Sequence, residues 1–238
     1  MLRQIFDKPK RIDSGHLLSV NQTIEQFCSS LRKHFQKRNK VPPKFVFLEL
    51  RAKAFISDLN ELEQSKFCCE QYQLRIGKPF EEEMNALERD DYDRFNYYYK
   101  NAFIRVFSIL DKLGYFLNDF LMLDTGKIKS KFSYYTVLRR MFEIHAHPKL
   151  QKRLYDLKIN YDEPMQHLRK KRNLEIHSMS VELLNDISSA VPNQFVDQNK
   201  IEPLEQNVAD LQIGFEMVCR SLYEVFTYCE KLVDRGNF

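Results

Sequence analysis

The stretch Tyr92–Leu123, YDRFNYYYKNAFIRVFSILDKLGYFLNDFLML, decides the fold class of this chain. Phe95, Tyr99, Phe103, Phe107, Leu110 and Phe116 recur along it at helical spacing, so a continuous helix would carry one apolar side for most of its length. Asp124-Thr125-Gly126 then breaks the pattern. A stripe this long must be buried against other elements, and the sequence on both sides supplies more helices to do so.

Toward the N-terminus, Val20, Ile24, Phe27, Leu31 and Phe35 predict a helix over about 19–37, ended by the basic tail RKHFQKRNK and Pro42-Pro43. Phe45, Leu48, Ala52, Phe55, Ile56, Leu59 and Leu62 predict a second over about 44–75, stopped by Gly77-Lys78-Pro79. Beyond the central helix, about 127–160 reads as a basic insert with short helices near 133–144 and 148–158. Asp162-Glu163-Pro164 has the acidic residues and early proline of a helix start, and that helix is expected to fade near Leu184. After a loop containing Pro192, a closing helix over about 202–234 places Leu211, Phe215, Val218, Leu222, Val225 and Phe226 on one face. No strand, internal repeat or low-complexity tract interrupts this order. The expected fold is all-α: one domain over 1–238, built as an up-and-down helical bundle of four to five long helices with its core at about 44–235. The N-terminal helix packs alongside it, and the short-helix insert is an insertion or crossover.

Composition narrows the function. With 238 residues, 43% hydrophobic, and 19 Phe and 12 Tyr, the chain has ample material for a core. Only 6 Gly occur, and no GxGxxG or GxxxxGK string, which argues against glycine-loop nucleotide binding. The N-terminal MLRQIFDKPKRIDSG has no long apolar core, and no run of eighteen apolar residues exists, so no membrane association and a cytoplasmic location are expected. Cys28, Cys68, Cys69, Cys219 and Cys229 form no CxxC pair and are odd in number, the pattern of reduced thiols. The adjacent Cys68-Cys69 pair reads as packing rather than as an oxidation sensor. His145-Ala146-His147 could open a metal site, but no ExxH or HExxH completes it, so neither metal nor cofactor is expected. In Tyr97-Tyr98-Tyr99, which could stack bases, the helical turn puts Tyr99 in the core and makes its neighbours interfacial.

The net charge of +4 hides a strong asymmetry. Lys127–Arg172 holds 13 Lys+Arg against 4 Asp+Glu, whereas Asn173–Phe238 holds 4 against 11. The basic segment would attract a polyanion, with affinity that falls as salt rises. Alternatively, the acidic closing helix neutralises it within the fold.

The basic segment runs into RNLEIH, Arg172–His177. An arginine five residues before a histidine also occurs at Arg11/His16 and Arg140/His145, but only Arg172 is followed by asparagine. On a helical wheel Met165, Leu168, Arg172, Ile176 and Met179 form one stripe, and Arg169, Asn173 and His177 form the neighbouring flank, bordered by Lys170. An arginine in an apolar stripe either pairs with an acid such as Glu216 or Glu224, or extends to the rim and meets a phosphate with its bidentate fork. His177 is either a surface histidine or a general acid or base, and Asn173 stands one turn before it.

RNLEIH, late in an all-helical chain and followed by one long closing helix, resembles the Arg-polar-x(3 to 5)-His motif of the HEPN superfamily. The resemblance implies a four- or five-helix bundle, commonly dimeric, and often a metal-independent endoribonuclease of toxin–antitoxin, phage-defence or RNA-processing systems. It implies that Arg172 stabilises the charge of the cleaved phosphate, that His177 serves as acid or base, and that Asn173 fills the polar position after the arginine. Arg169, Lys170 and Lys171 are the expected RNA-binding residues. The partners implied are RNA, a second copy of the chain and an antitoxin or regulatory protein. Arg172 and His177 lie about 140 degrees apart on an ideal helix, so a composite site at a homodimer interface is expected. The alternative is a non-catalytic helical module that binds RNA or a protein.

Overall fold

Each long apolar stripe becomes the buried side of a helix. A computed structural model describes residues 2–36, 43–127, 132–177 and 200–236. Among these residues are seven α-helices: α1 (Gly15–Gln36), α2 (Pro43–Gln73), α3 (Ala86–Phe120), α4 (Tyr134–Glu143), α5 (Pro148–Asn160), α6 (Asp162–His177) and α7 (Leu204–Asp234). The strand-type pairing among them is one isolated antiparallel bridge, Phe80 to Lys200, and the fold is all-α. Met179, the expected helix end near Leu184, and the Pro192 loop lie outside the described residues, as do the basic tail beyond Gln36 and Pro42.

Local chemistry sets the helix ends. Asn85 caps α3, its side-chain oxygen accepting from the N–H groups of Leu87 and Glu88, both at 3.0 Å. Glu88 in turn accepts from the backbone of Gly77 at 2.7 Å and Lys78 at 2.9 Å, tying the stop after α2 to the start of α3. Ser133 caps α4 by accepting from the Thr136 N–H at 3.3 Å. Before α5, His147 turns the chain with φ of 48°, and Pro148 takes the first helical turn, where no amide donor is required.

Packing divides the chain into two compact units. One unit comprises Ile12–Glu61, Val106–Asp162 and Phe215–Phe238. At its centre Phe116 of α3 meets Phe27 of α1, Phe55 of α2 and Phe226 of α7 at centroid distances of 5.8, 6.3 and 5.0 Å. Edge-on and tilted contacts of this kind add about 0.5–1.5 kcal/mol per pair beyond area burial. Helix α4 comes against α3 at Gly114, where a β-carbon would stand 3.0 Å from the Tyr134 Cα. Tyr134 is fully buried, its N–H donating to Asp111 at 3.0 Å.

The other unit comprises Met1–Arg11, Leu62–Arg105 and Glu163–Gly214. Phe6 packs edge-on against Phe67 and Tyr72, and Arg3 and Arg11 converge on Glu63. Along α3, Phe95 stacks on Tyr99, which meets Phe103 edge-on. Tyr99 is buried, as the helical turn required, and Tyr97 is 65% exposed. All five cysteines are buried, and none of them is in a disulfide. Burial pushes the Cys68 thiol up to about 11 and Cys69 well above its ordinary value, which keeps both protonated.

Two substitutions test this packing. Gly114→Ala should lower stability by about 1–3 kcal/mol in urea denaturation, because the new methyl meets the backbone of α4, although in an open helix the same change gains about 1 kcal/mol. Phe116→Ala should cost about 3–5 kcal/mol. A Gly114→Ala protein as stable as the parent would show that α3 and α4 separate freely.

Candidate functional site

Helix α6 carries the RNLEIH motif and has little apolar surface with which to dock. Met165 and Leu168 are its buried apolar side chains, at 2% and 0% exposure. The expected stripe does not continue as drawn, because Ile176 is 49% exposed. On an ideal helix Ile176 lies about 20 degrees from buried Met165 and Glu175 about 20 degrees from buried Leu168, so toward its end α6 packs along the Leu168 edge of the stripe rather than along its middle. Lys171 and Glu175 take the inner positions instead, both half-buried. Lys171 is bonded to Glu202, and Glu175 lies 3.5 Å from Lys100 of α3. Further back on α6, His167 Nδ1 is 3.1 Å from the Asp210 carboxylate of α7.

The motif residues occupy the last two turns. Arg172 is half-buried, with its Nε enclosed, and Asn173, the next residue, is exposed. Arg169 is half-buried and Lys170 exposed. Glu202 meets the charge of Lys171, whose ammonium stands 5.7 Å from the centre of the Tyr99 ring. The backbone of His177 closes α6, and its side chain lies outside the described residues. The acids considered for a buried Arg172 serve other groups, Glu216 accepting from Tyr161 at 2.8 Å and pairing with Arg220, and Glu224 pairing with Arg153. The two other Arg/His spacings use their arginines structurally: Arg11 pairs with Glu63 at 2.6 Å, and Arg140 donates to the Leu123 carbonyl at 3.0 Å. The Arg153–Glu224 and Lys171–Glu202 pairs show that the closing segment neutralises part of the basic stretch internally.

A cavity of about 260 Å³ opens beside the motif, between α3, α6 and the segment leading into α7. The Phe80–Lys200 bridge and a 2.8 Å bond from the Ile201 N–H to the Pro79 carbonyl hold its far wall. Burial opposes the charge of Glu202, but the Lys171 ammonium and the Asn207 amide at 3.0 Å outweigh it and hold the carboxyl below its ordinary range. Tyr99 lines the same cavity and is 4% exposed, and its hydroxyl is buried without a hydrogen-bond partner among the described residues. Burial, reinforced by the charges of Glu202 and Asp210, pushes that phenol well above its ordinary value, so it stays protonated.

The sequence reading missed His167 and Asp210. Asp210 is 2% exposed, and its second oxygen accepts from Gln206 at 2.8 Å. A signal was present: Asp210 sits on the buried side of α7 between Asn207 and Leu211, and an acid there needs a partner. Among the described residues no group of three or more His, Cys, Asp or Glu is gathered as a metal site. His147 of the His-Ala-His turn is instead 2.9 Å from the Tyr228 hydroxyl. No helix among the described residues is long and apolar enough to cross a membrane.

No curated protein and no solved structure matches the chain closely enough to serve as a relative. The family model described as HEPN_Cthe2314-like HEPN does match, over residues 52–230, which takes in most of α2 and α7, all of the helices between them, and the RNLEIH segment. With about three quarters of its length covered by that model and an all-α fold of this helix order, the chain belongs to the HEPN_Cthe2314-like family of the HEPN superfamily.

Proposed function

We propose that the protein is a metal-independent endoribonuclease that uses Arg172, Asn173 and His177. The observation that carries this reading is the placement of the motif within a HEPN chain: Arg172 is held half-buried with its Nε enclosed, while Asn173 beside it faces solvent at the end of α6. A guanidinium is the side-chain group best matched to a phosphate, since its planar fork can donate two parallel N–H bonds to the phosphoryl oxygens. In the reaction the 2′-oxygen of one ribose forms a bond to the adjacent phosphorus as the bond to the 5′-oxygen breaks. The 2′-hydroxyl proton passes to a base, and the departing 5′-oxygen takes up a proton. The products are a 2′,3′-cyclic phosphate and a 5′-hydroxyl. Arg172 offsets the charge gathering on the phosphoryl oxygens, and His177 handles a proton. Arg169 and Lys170 hold neighbouring phosphates, with Lys171 contributing where Glu202 yields it.

Because the arginine and histidine positions diverge around the helix, the proposed site is composite, with Arg172 of one chain and His177 of a second copy meeting at a two-fold interface. A protein that masks this cleft would act as an antitoxin or regulator.

Mixed RNA incubated with the protein in EDTA should be cut to fragments bearing 2′,3′-cyclic phosphate ends. Arg172→Ala and His177→Ala should each slow cleavage by about 10²- to 10⁴-fold. Absence of cleavage, or cleavage indifferent to His177→Ala, would leave a non-catalytic binding module as the reading. For the composite site, mixing inactive Arg172→Ala and His177→Ala chains should restore activity through heterodimers with one intact set. Full activity per chain in a dilute monomer would exclude the shared cleft. Arg169→Ala and Lys170→Ala should each weaken RNA binding and reduce the slope of log affinity against log salt by about 0.7.

A further inference from the structure

The cavity beside α6 has three properties that together specify a ligand. First, its charges cancel: Lys100, Lys171 and Lys200 face Glu81, Glu175 and Glu202, so the cavity is no trap for a phosphate. Second, at about 260 Å³ it falls below the ~300–1,000 Å³ typical of drug-sized sites, yet greatly exceeds the ~30 Å³ share of one water. That suits a single ring system. Third, the walls alternate apolar surface from Phe103, Leu174 and Ile201 with donors and acceptors from Asn96, Asn207 and Glu202. A flat ring with hydrogen-bonding edges is the chemistry that fits.

Tyr99 also lines this cavity, and its buried hydroxyl has no hydrogen-bond partner among the described residues. An unsatisfied buried donor is costly, so its retention calls for an occupant or a reason. The Lys171–Glu202 pair lines the same cavity, with the Lys171 ammonium 5.7 Å from the centre of the Tyr99 ring. Both side chains are long, at 22% and 52% exposure, and can part without disturbing the helices. A ring entering here would take donors to Glu202 and acceptors to Tyr99 and Lys171. Among the common bases, guanine alone offers two adjacent N–H groups to a carboxylate, with a carbonyl oxygen beside them for a hydroxyl or ammonium.

We propose that this cavity takes one unstacked guanine of the RNA strand, on the face of α6 next to the cleavage motif, and thereby selects where the strand is cut. The inference rests on the ribonuclease reading for the source of the base, an RNA, but not for the chemistry of the cavity. Proteins that read single-stranded RNA commonly extrude a base and recognise its edges in this way.

The test titrates the full chain with guanosine, adenosine, cytidine and uridine, which carry no phosphate, by calorimetry. Guanosine should bind at least about ten-fold more tightly than the others, and Tyr99→Phe should weaken it by about ten-fold, the loss of one buried hydrogen bond. The same substitution should raise the melting temperature of the unliganded protein by about 2–4 °C, since it removes an unsatisfied hydroxyl. Leu174→Trp, at a position already 40% exposed, should fill the cavity and abolish guanosine binding without unfolding the chain. A single-stranded RNA containing guanine should compete with guanosine, and one lacking it should not. Equal affinities for the four nucleosides, indifference to both substitutions, or failure of the RNA to compete would overturn the proposal. Its failure is separable from that of the ribonuclease reading. Cleavage with unchanged base preference in Tyr99→Phe removes the guanine site alone, whereas guanosine binding and RNA competition without cleavage remove the nuclease alone.

Discussion

The contact between His167 and the buried carboxylate of Asp210 sets the terms for the rest of the motif region. A buried carboxyl group needs hydrogen-bond partners, and Asp210 obtains them from His167 on one oxygen and Gln206 on the other. That requirement matters because α6 buries only Met165 and Leu168 fully. So little apolar surface does not by itself fix the rotation of a helix about its axis. The polar pairs on one side of α6, His167 with Asp210 and Lys171 with Glu202, supply the missing constraint. With the helix held at that rotation, the Arg172 Nε is enclosed and Asn173 faces outward.

The same pairs shape the neighbouring cavity. Lys171 and Glu202 form part of its wall, as does Tyr99, whose buried hydroxyl has no hydrogen-bond partner among the described residues. Stability alone would favour phenylalanine at that position. Sites that sacrifice local stability for a binding group are a common consequence of function in marginally stable proteins. The motif and the cavity are thus two faces of one helix, oriented by one set of ionic contacts.

Helix order was legible because burial of long stripes leaves a strong periodic mark. Val20 to Phe35, Phe95 to Phe116 and Leu211 to Phe226 all became buried sides, with ends displaced by a few residues at most where breakers such as Gly77-Lys78-Pro79 stand. On α6 the same reasoning was less successful. A stripe with a charged residue at its centre has no apolar continuity to hold it in phase, and Ile176 rotated out to solvent while Lys171 and Glu175 moved in. Lys171, grouped by sequence with Arg169 and Lys170, proved to have an internal partner.

From residue order alone came what depends on local periodicity and neighbouring residue types: an all-α chain, its helix sequence, its reduced thiols, and a candidate motif distinguished from two other Arg/His spacings by one asparagine. These follow from backbone geometry and side-chain chemistry within a few turns. The His167–Asp210 pair, the enclosure of the Arg172 Nε, and a cavity that joins Tyr99 to Glu202 unite residues 43 to about a hundred positions apart. Such contacts leave no periodic trace, since they arise from how helices are rotated and stacked, and only the folded chain specifies that.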